Sequence, residues 1–412
     1  MIFFAPTTAY IDPGTGSLLF ALFLGVFGAV QYFFRSSFIK LKFMITGGKA
    51  SDSSADKLPI VIFSDDKRYW NVFGPICDEL ERRHIKAEYW TMSEDDPAFE
   101  QNYKTVIPRF IGKGNKGFAK LNVMNAKICL STTPGLDVYQ WKRSKNVDKY
   151  VHIYHEVTEG MRYRMFGLDY YDVIFLNASF QERYIRILEE KRNIHRKECI
   201  VCGSVYLDEM IKQVQSKSSS DKSDKEDITV LMAPSWGPNS LLSRFGAKLI
   251  DSLLTTGFKI IIRPHPQTFL SEKDIIDPLL EKYPNNDLIV WDRSNSNVKS
   301  LMMADILISD FSGIVIDYAC VYDGPVIVAD TEFDASIYDA AWIDEPLWMD
   351  QIIDRIGIKL DENAFGTIKD TILELVSSND YTENRRKLRD EIWENQGKAT
   401  STVVDNLTEL LE

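Results

Sequence analysis

From residue 58 onward, short unbroken apolar runs alternate with stretches in which apolar positions recur every three or four residues. An unbroken apolar run closed by polar residues marks a strand buried on both faces, as in a parallel sheet. The pattern predicts strands at 58–64, 86–91, 105–111, 127–131, 150–154 and 173–177, with helices near 70–83 and 180–191. A second series follows, with strands at 228–233, 258–262, 288–291, 306–308 and 325–329 and helices near 240–255, 272–283 and 297–303. Strand–helix alternation of this kind builds doubly wound α/β units. Two are expected, over 58–215 and 228–346, with a charged C-terminal helical segment over 347–412. Residues 216–227 contain no apolar side chain and read as a flexible linker between the units.

The first residues follow a different rule. Residues 17–34 carry no charge and are mostly large and apolar, a length that just crosses a bilayer. No Lys or Arg precedes them, whereas Arg35, Lys40, Lys42 and Lys49 follow, so the C-terminal side is placed in the cytoplasm. The expectation is a membrane anchor with a basic flank over 1–45, a Gly/Ser-rich linker over 46–57, and a single-pass protein of the cell (inner) membrane with a cytoplasmic catalytic part. A re-entrant or interfacial helix that only dips into the bilayer is the alternative. Charge separates this region from the rest. Residues 1–57 hold five Lys/Arg against three acids, +2, which leaves −14 of the total −12 for the remainder.

That acidic balance argues against broad nucleic-acid binding, which wants a basic surface. An anionic substrate then needs a locally positive pocket. The five cysteines are scattered, and the Cys199-x-x-Cys202 pair has no second pair to complete a zinc site, so buried thiols are expected. No required metal and no cofactor are expected.

In open parallel sheets, ligands gather at the carboxyl ends of strands. Three polar clusters fall at such ends: Pro234-Ser235-Trp236-Gly237, Arg263-Pro264-His265-Pro266, and Ser309-Asp310-Phe311-Ser312-Gly313. The last precedes a helix whose free N–H groups and dipole suit a phosphate. Arg263 can fork onto a phosphate, and His265 can donate to a phosphate oxygen or protonate a leaving one. In the first unit, His155 ends a strand and is the candidate general base, with Glu156 a candidate to orient its ring. His152, inside the same strand, reads as a core residue. Arg162 and Arg164 read as a solvated face that could add positive charge.

Taken in order and spacing, the Val230–Trp236, Ile260–Pro266 and Ser309–Tyr318 stretches resemble the CDP-glycerol glycerophosphotransferase family of teichoic-acid polymerases and primases. The resemblance implies a GT-B-like fold of two facing doubly wound α/β domains, here with an N-terminal membrane helix and C-terminal helices. It implies that the Arg263-Pro-His265 and Ser309–Gly313 turns hold the pyrophosphate of a CDP-activated donor. The acceptor would be a lipid-linked or glycan component of the cell envelope. The chain departs from the family pattern twice: Glu156 stands where a glycine usually follows the base, and Gly313 where a second hydroxyl residue usually closes the turn. A nucleotide-sugar glycosyltransferase, or an epimerase-like enzyme of the same fold, and a non-catalytic envelope-assembly protein are the alternatives.

Overall fold

The computed structural model describes residues 57–217 and 227–412, apart from Asn295 and Glu332. Among the described residues no helix is long and apolar enough to cross a membrane. The anchor expected at 17–34 and the heart of the linker expected at 216–227 lie outside the described residues.

The apolar runs become two parallel sheets. The first contains β1 (Leu58–Ser64), β2 (Ala87–Thr91), β3 (Val106–Phe110), β4 (Asn125–Ser131), β5 (Asn146–Ile153), β6 (Val173–Leu176) and β7 (Glu198–Val201). Its order is β3-β2-β1-β4-β5-β6-β7. Helices α1 (Trp70–Arg82), α2 (Asn115–Leu121), α3 (Phe180–Arg192) and α4 (Val205–Lys217) connect or follow these strands. The second sheet contains β8 (Thr229–Met232), β9 (Lys259–Ile262), β10 (Ile289–Trp291), β11 (Ile306–Ser309), β12 (Val326–Ala329) and β13 (Gly357–Leu360), in the order β10-β9-β8-β11-β12-β13. Its helices are α5 (Leu241–Leu254), α6 (Thr268–Ser271), α7 (Lys273–Lys282), α8 (Val298–Met303), α9 (Ile314–Val321), α10 (Trp348–Ile356), α11 (Ile368–Ser377), α12 (Thr382–Ile392) and α13 (Ala399–Glu409). All of β8, β11 and β12 are buried, as strands covered on both faces must be. This is an α/β, GT-B-like arrangement of two parallel sheets with flanking helices.

The C-terminal segment departs from the sequence expectation in two ways. The segment over 347–412 is not wholly helical: Gly357–Leu360 adds a strand beside β12. The chain then returns to the first sheet, where Ala399, Val403, Val404 and Leu407 of α13 are fully buried in one cluster with Ile60, Cys77 and Leu80. The return is pinned by Asp208 of α4, which accepts from Trp393 Nε1 at 2.7 Å, Gly397 N at 2.7 Å and Ala399 N at 3.1 Å. At Gly203 (φ +89°), an added β-carbon would stand 2.4 Å from the Glu394 carbonyl oxygen, so only glycine lets the two segments cross. Residues Leu58–Glu412 accordingly form one compact unit. A buried ion cluster ties its two halves: Arg192 pairs with Asp169 and with Asp339, each at 2.6 Å.

Candidate active site

Each sheet reverses its strand order once, between β1 and β4 and between β8 and β11. Loops leaving such neighbours diverge to opposite faces and open a crevice beyond their carboxyl ends. In the second sheet that crevice is bordered by the 233–237 loop and the 310–313 turn. Ser309 and Asp310 are fully buried there. Ser309 Oγ donates to the Ala233 carbonyl at 2.6 Å, and the Asp310 carboxylate accepts from Ser235 N at 3.0 Å and Leu241 N at 2.8 Å. Burial raises the Asp310 pKa against the pull of those N–H groups. Both side chains therefore shape the loop and the start of α5, and their hydrogen-bonding capacity is used within the protein. The groups left at this end of the sheet are the start of α9, whose N-cap is Gly313, and half-buried Ser312. Ser235 is itself buried, and its hydroxyl lies beside the Asp310 carboxylate, whose ionised form it favours. Pro234, buried, fixes the backbone of the loop.

Arg263 is held more firmly than the sequence suggests. One guanidinium nitrogen donates to Asp292 Oδ2 at 2.6 Å and to Ser294 Oγ at 3.2 Å, and another donates to the Ser294 carbonyl at 2.9 Å. Its charge is balanced by Asp292, and it fastens the end of β9 to the loop after β10. His265 Nδ1 accepts from Gln267 N at 3.1 Å, which leaves the ring proton on Nε2 as a donor. Burial, aided by the positive charge of Arg68, lowers its pKa to about 4. The Trp236 ring stacks beside it at 6.3 Å.

In the first sheet the crevice is bordered by 65–69 after β1 and 132–133 after β4. His155, just past β5, hydrogen-bonds through Nδ1 to Thr132 Oγ1 at 2.8 Å. The Tyr69 ring packs against it at 4.7 Å. The Thr132 hydroxyl can donate or accept, so this contact sets the orientation of the ring; in the tautomer protonated on Nδ1, Nε2 is the basic nitrogen. Burial lowers the His155 pKa to about 4, with Asp65 raising it and Arg68 lowering it further. The ring is therefore neutral near pH 7, as a general base must be. Glu156, expected to orient that ring, does not occupy the position: Thr132 does. The Glu156 carboxyl turns to the other half, with Oε2 only 3.1 Å from where a β-carbon on Gly313 would stand.

Arg162 also departs from expectation. Its side chain is only 12% exposed, and it donates to the Phe311 carbonyl at 3.0 Å and to Asp350 Oδ1 at 3.2 Å. It is a strut from the first half to the 309–313 turn, while Arg164 is exposed. His152 is fully buried, as expected, among Tyr154, Tyr163 and Tyr171.

Sequence reasoning missed Arg68, Tyr69 and Thr132. All three follow the carboxyl ends of β1 and β4, the strands at the reversal point, so the strand-end rule applied to the first sheet would have found them. Arg68 is the exposed cation whose charge is felt by both His155 and His265. Among the described residues no group of three or more His, Cys, Asp or Glu is placed to hold a metal ion. The cysteines are all free, with Cys199 half-buried on β7 and Cys202 buried beside it.

The fold has counterparts among solved structures. The wall teichoic acid polymerase TagF superposes with a TM-score of 0.57 at 14% identity, over 92% of this chain and 97% of that one. A TagF variant soaked with CDPG superposes at 0.55 and 12% identity, over 92% and 97%. The UDP-GlcNAc 2-epimerase of Methanocaldococcus jannaschii, in complex with UDP-GlcNAc and UDP, superposes at 0.54 and 15% identity, over 86% and 100%. At these identities the likeness is one of fold. No curated protein matches the sequence. The model of the CDP-glycerol:poly(glycerophosphate) glycerophosphotransferase family matches residues 143–344. Those residues hold His155, the 234–237 loop and the 263–265 and 309–313 turns, so the part of the chain that is similar to this family is the part that carries the candidate site.

Proposed function

We propose that this protein is a transferase that moves glycerol phosphate, or a related polyol phosphate, from a CDP-activated donor to a lipid-linked or glycan acceptor of the cell envelope. The observation that carries the reading is that the family-matched region holds both a buried histidine hydrogen-bonded to Thr132, just past the end of β5, and a helix start at the carboxyl end of β11. His155 Nε2 takes the proton of an acceptor hydroxyl. The freed oxygen attacks the phosphorus of the polyol phosphate, and the phosphoanhydride bond breaks to release CMP. Charge grows on the departing phosphate, where the N–H groups at the start of α9, the His265 Nε2–H and the Ser312 hydroxyl are available to donate. Arg68 adds positive charge at the mouth. No protein group needs to form a covalent bond.

Residues 17–34 fit a single membrane span that keeps this cleft on the cytoplasmic side, close to a lipid-linked acceptor. The basic flank at Arg35, Lys40 and Lys42 suits an anionic leaflet. The test is to incubate the full-length protein with CDP-glycerol and a panel of acceptors and to follow CMP. Release of CMP that depends on acceptor is expected. Turnover of UDP-sugars with no CMP from CDP-glycerol would refute the assignment.

A further inference from the structure

Glu156 is adjacent to the candidate base in sequence but serves the opposite wall. Its backbone is fixed: the carbonyl accepts from Asn177 Nδ2 at 2.8 Å, and Asn177 N in turn donates to Gln181 Oε1 at 2.7 Å. Its side chain crosses to α9. Gly313 adopts φ −58° and ψ −21°, a conformation open to any residue. Backbone freedom therefore does not explain a glycine there. Space does: Glu156 Oε2 stands 3.1 Å from the position of its missing β-carbon. The two departures from the family pattern, 157 positions apart in sequence, thus meet at one point.

The surroundings define what that carboxyl can do. Arg162 from its own loop, Asp317 from α9, and Tyr69 and Tyr163 from the first half act on Glu156 or feel its charge. Tyr206 from α4, which also feels it, donates to Asp317 Oδ2 at 2.6 Å. Burial raises the pKa of Glu156, with Arg162 opposing, and raises that of Asp317 to about 7. A carboxyl in this setting is able to carry a proton and donate it in a hydrogen bond to a phosphoryl oxygen, or to accept from a polyol hydroxyl. It lies between the residue that meets the acceptor and the helix start that meets the pyrophosphate, which is where the transferred group passes.

We propose that Glu156 is a specificity-determining residue of the donor seat: from the first half it supplies the polar group at the start of α9 that residue 313 lacks, and it contacts the transferred polyol phosphate. The proposal rests on the transferase reading and names how the donor is chosen. Calorimetric binding to the full-length protein tests it, with CDP-glycerol and CMP as probes. Glu156→Gly and Gly313→Ser are each expected to weaken CDP-glycerol about tenfold, the effect of one lost hydrogen bond to a charged group, and to leave CMP within about twofold. The double variant restores a hydroxyl in the emptied space and should return to within about threefold of the parent, a non-additivity expected only of residues in contact. Glu156→Gln keeps shape and hydrogen-bonding capacity, and is expected to stay within about threefold of the parent. Additive losses of about a hundredfold in the double variant, or equal losses for CMP and CDP-glycerol, would overturn the proposal. If the parent binds neither probe, the transferase reading fails. Thermal unfolding then still decides the pair: Gly313→Ser should lower the midpoint when Glu156 is present and spare it in the Glu156→Gly background. Equal drops in both backgrounds would sink the pairing.

Discussion

His155 is useful only as a neutral ring with one fixed nitrogen. Burial secures the first condition, and the Thr132 hydroxyl, bonded to Nδ1, holds the ring's orientation. Removing the ring by His155→Ala should reduce acceptor-dependent CMP release by about 10²–10⁴-fold, the usual scale of a lost general base, while CDP-glycerol affinity stays near the parent value. Thr132→Val keeps the volume and deletes the hydroxyl, so the ring loses its orienting hydrogen bond and activity should fall by a smaller factor. Initial rates together with calorimetry separate these effects. A His155→Ala variant with undiminished turnover would remove the residue from the chemistry. The same scale explains why Glu156 was misjudged from sequence. Adjacency to His155 suggests a partnership, but neighbouring side chains beyond a strand end diverge, and the carboxyl crosses to Gly313.

At the scale of elements, the turn between β11 and α9 is held by side chains that sequence reading assigned to a ligand. Asp310 binds the N–H groups of Ser235 and Leu241, so one carboxylate sets both the 234–237 loop and the first turn of α5. Asp310→Ala orphans those buried donors. At about 1–3 kcal/mol for each unsatisfied group, a destabilisation of roughly 2–5 kcal/mol is expected in urea unfolding. A phosphate ligand would instead lose affinity with little change in stability, so an unaltered midpoint would return Asp310 to the binding role. Element existence was legible because β8 and β11 are short runs buried on both faces and β1 and β4 are buried over their last four or five residues. The strand Gly357–Leu360 was not: four residues, one of them lysine, carry too little period to stand out within a helical, charged stretch.

At the scale of the whole molecule, groups of opposite sign compete over the same pH range. Burial lowers the pKa of His155 and of His265 to about 4. Their folded forms stay neutral while the unfolded chain protonates near 6.5, so this contribution to stability is complete above about 6.5 and is lost as pH falls toward 4. Burial raises the Asp317 pKa to about 7, although Tyr206 donates to it. Its contribution is complete below the ordinary carboxylate range of about 4 and is lost as pH rises through 7. Comparing Asp317→Asn with the parent by urea unfolding should show the variant gaining ground between pH 5 and pH 8. A difference that does not move with pH would mean that the carboxyl titrates normally.

The amino-acid sequence determined the two parallel α/β units, the strand ends where polar residues cluster, and the resemblance that points to a phosphate donor. These follow from local rules: apolar runs bury on both faces, and strand ends collect ligands. The tertiary structure alone decided which polar side chains face the crevice and which are used up holding it. Ser309, Asp310, Arg263 and Arg162 were matched to internal partners, while Arg68 and Thr132 were brought to the site. It also decided that Glu156 meets Gly313 and that α13 completes the first core. The physical reason is the same in each case. These contacts join residues far apart in the chain, and a side chain's partner is set by the packing of whole elements, which no local pattern encodes.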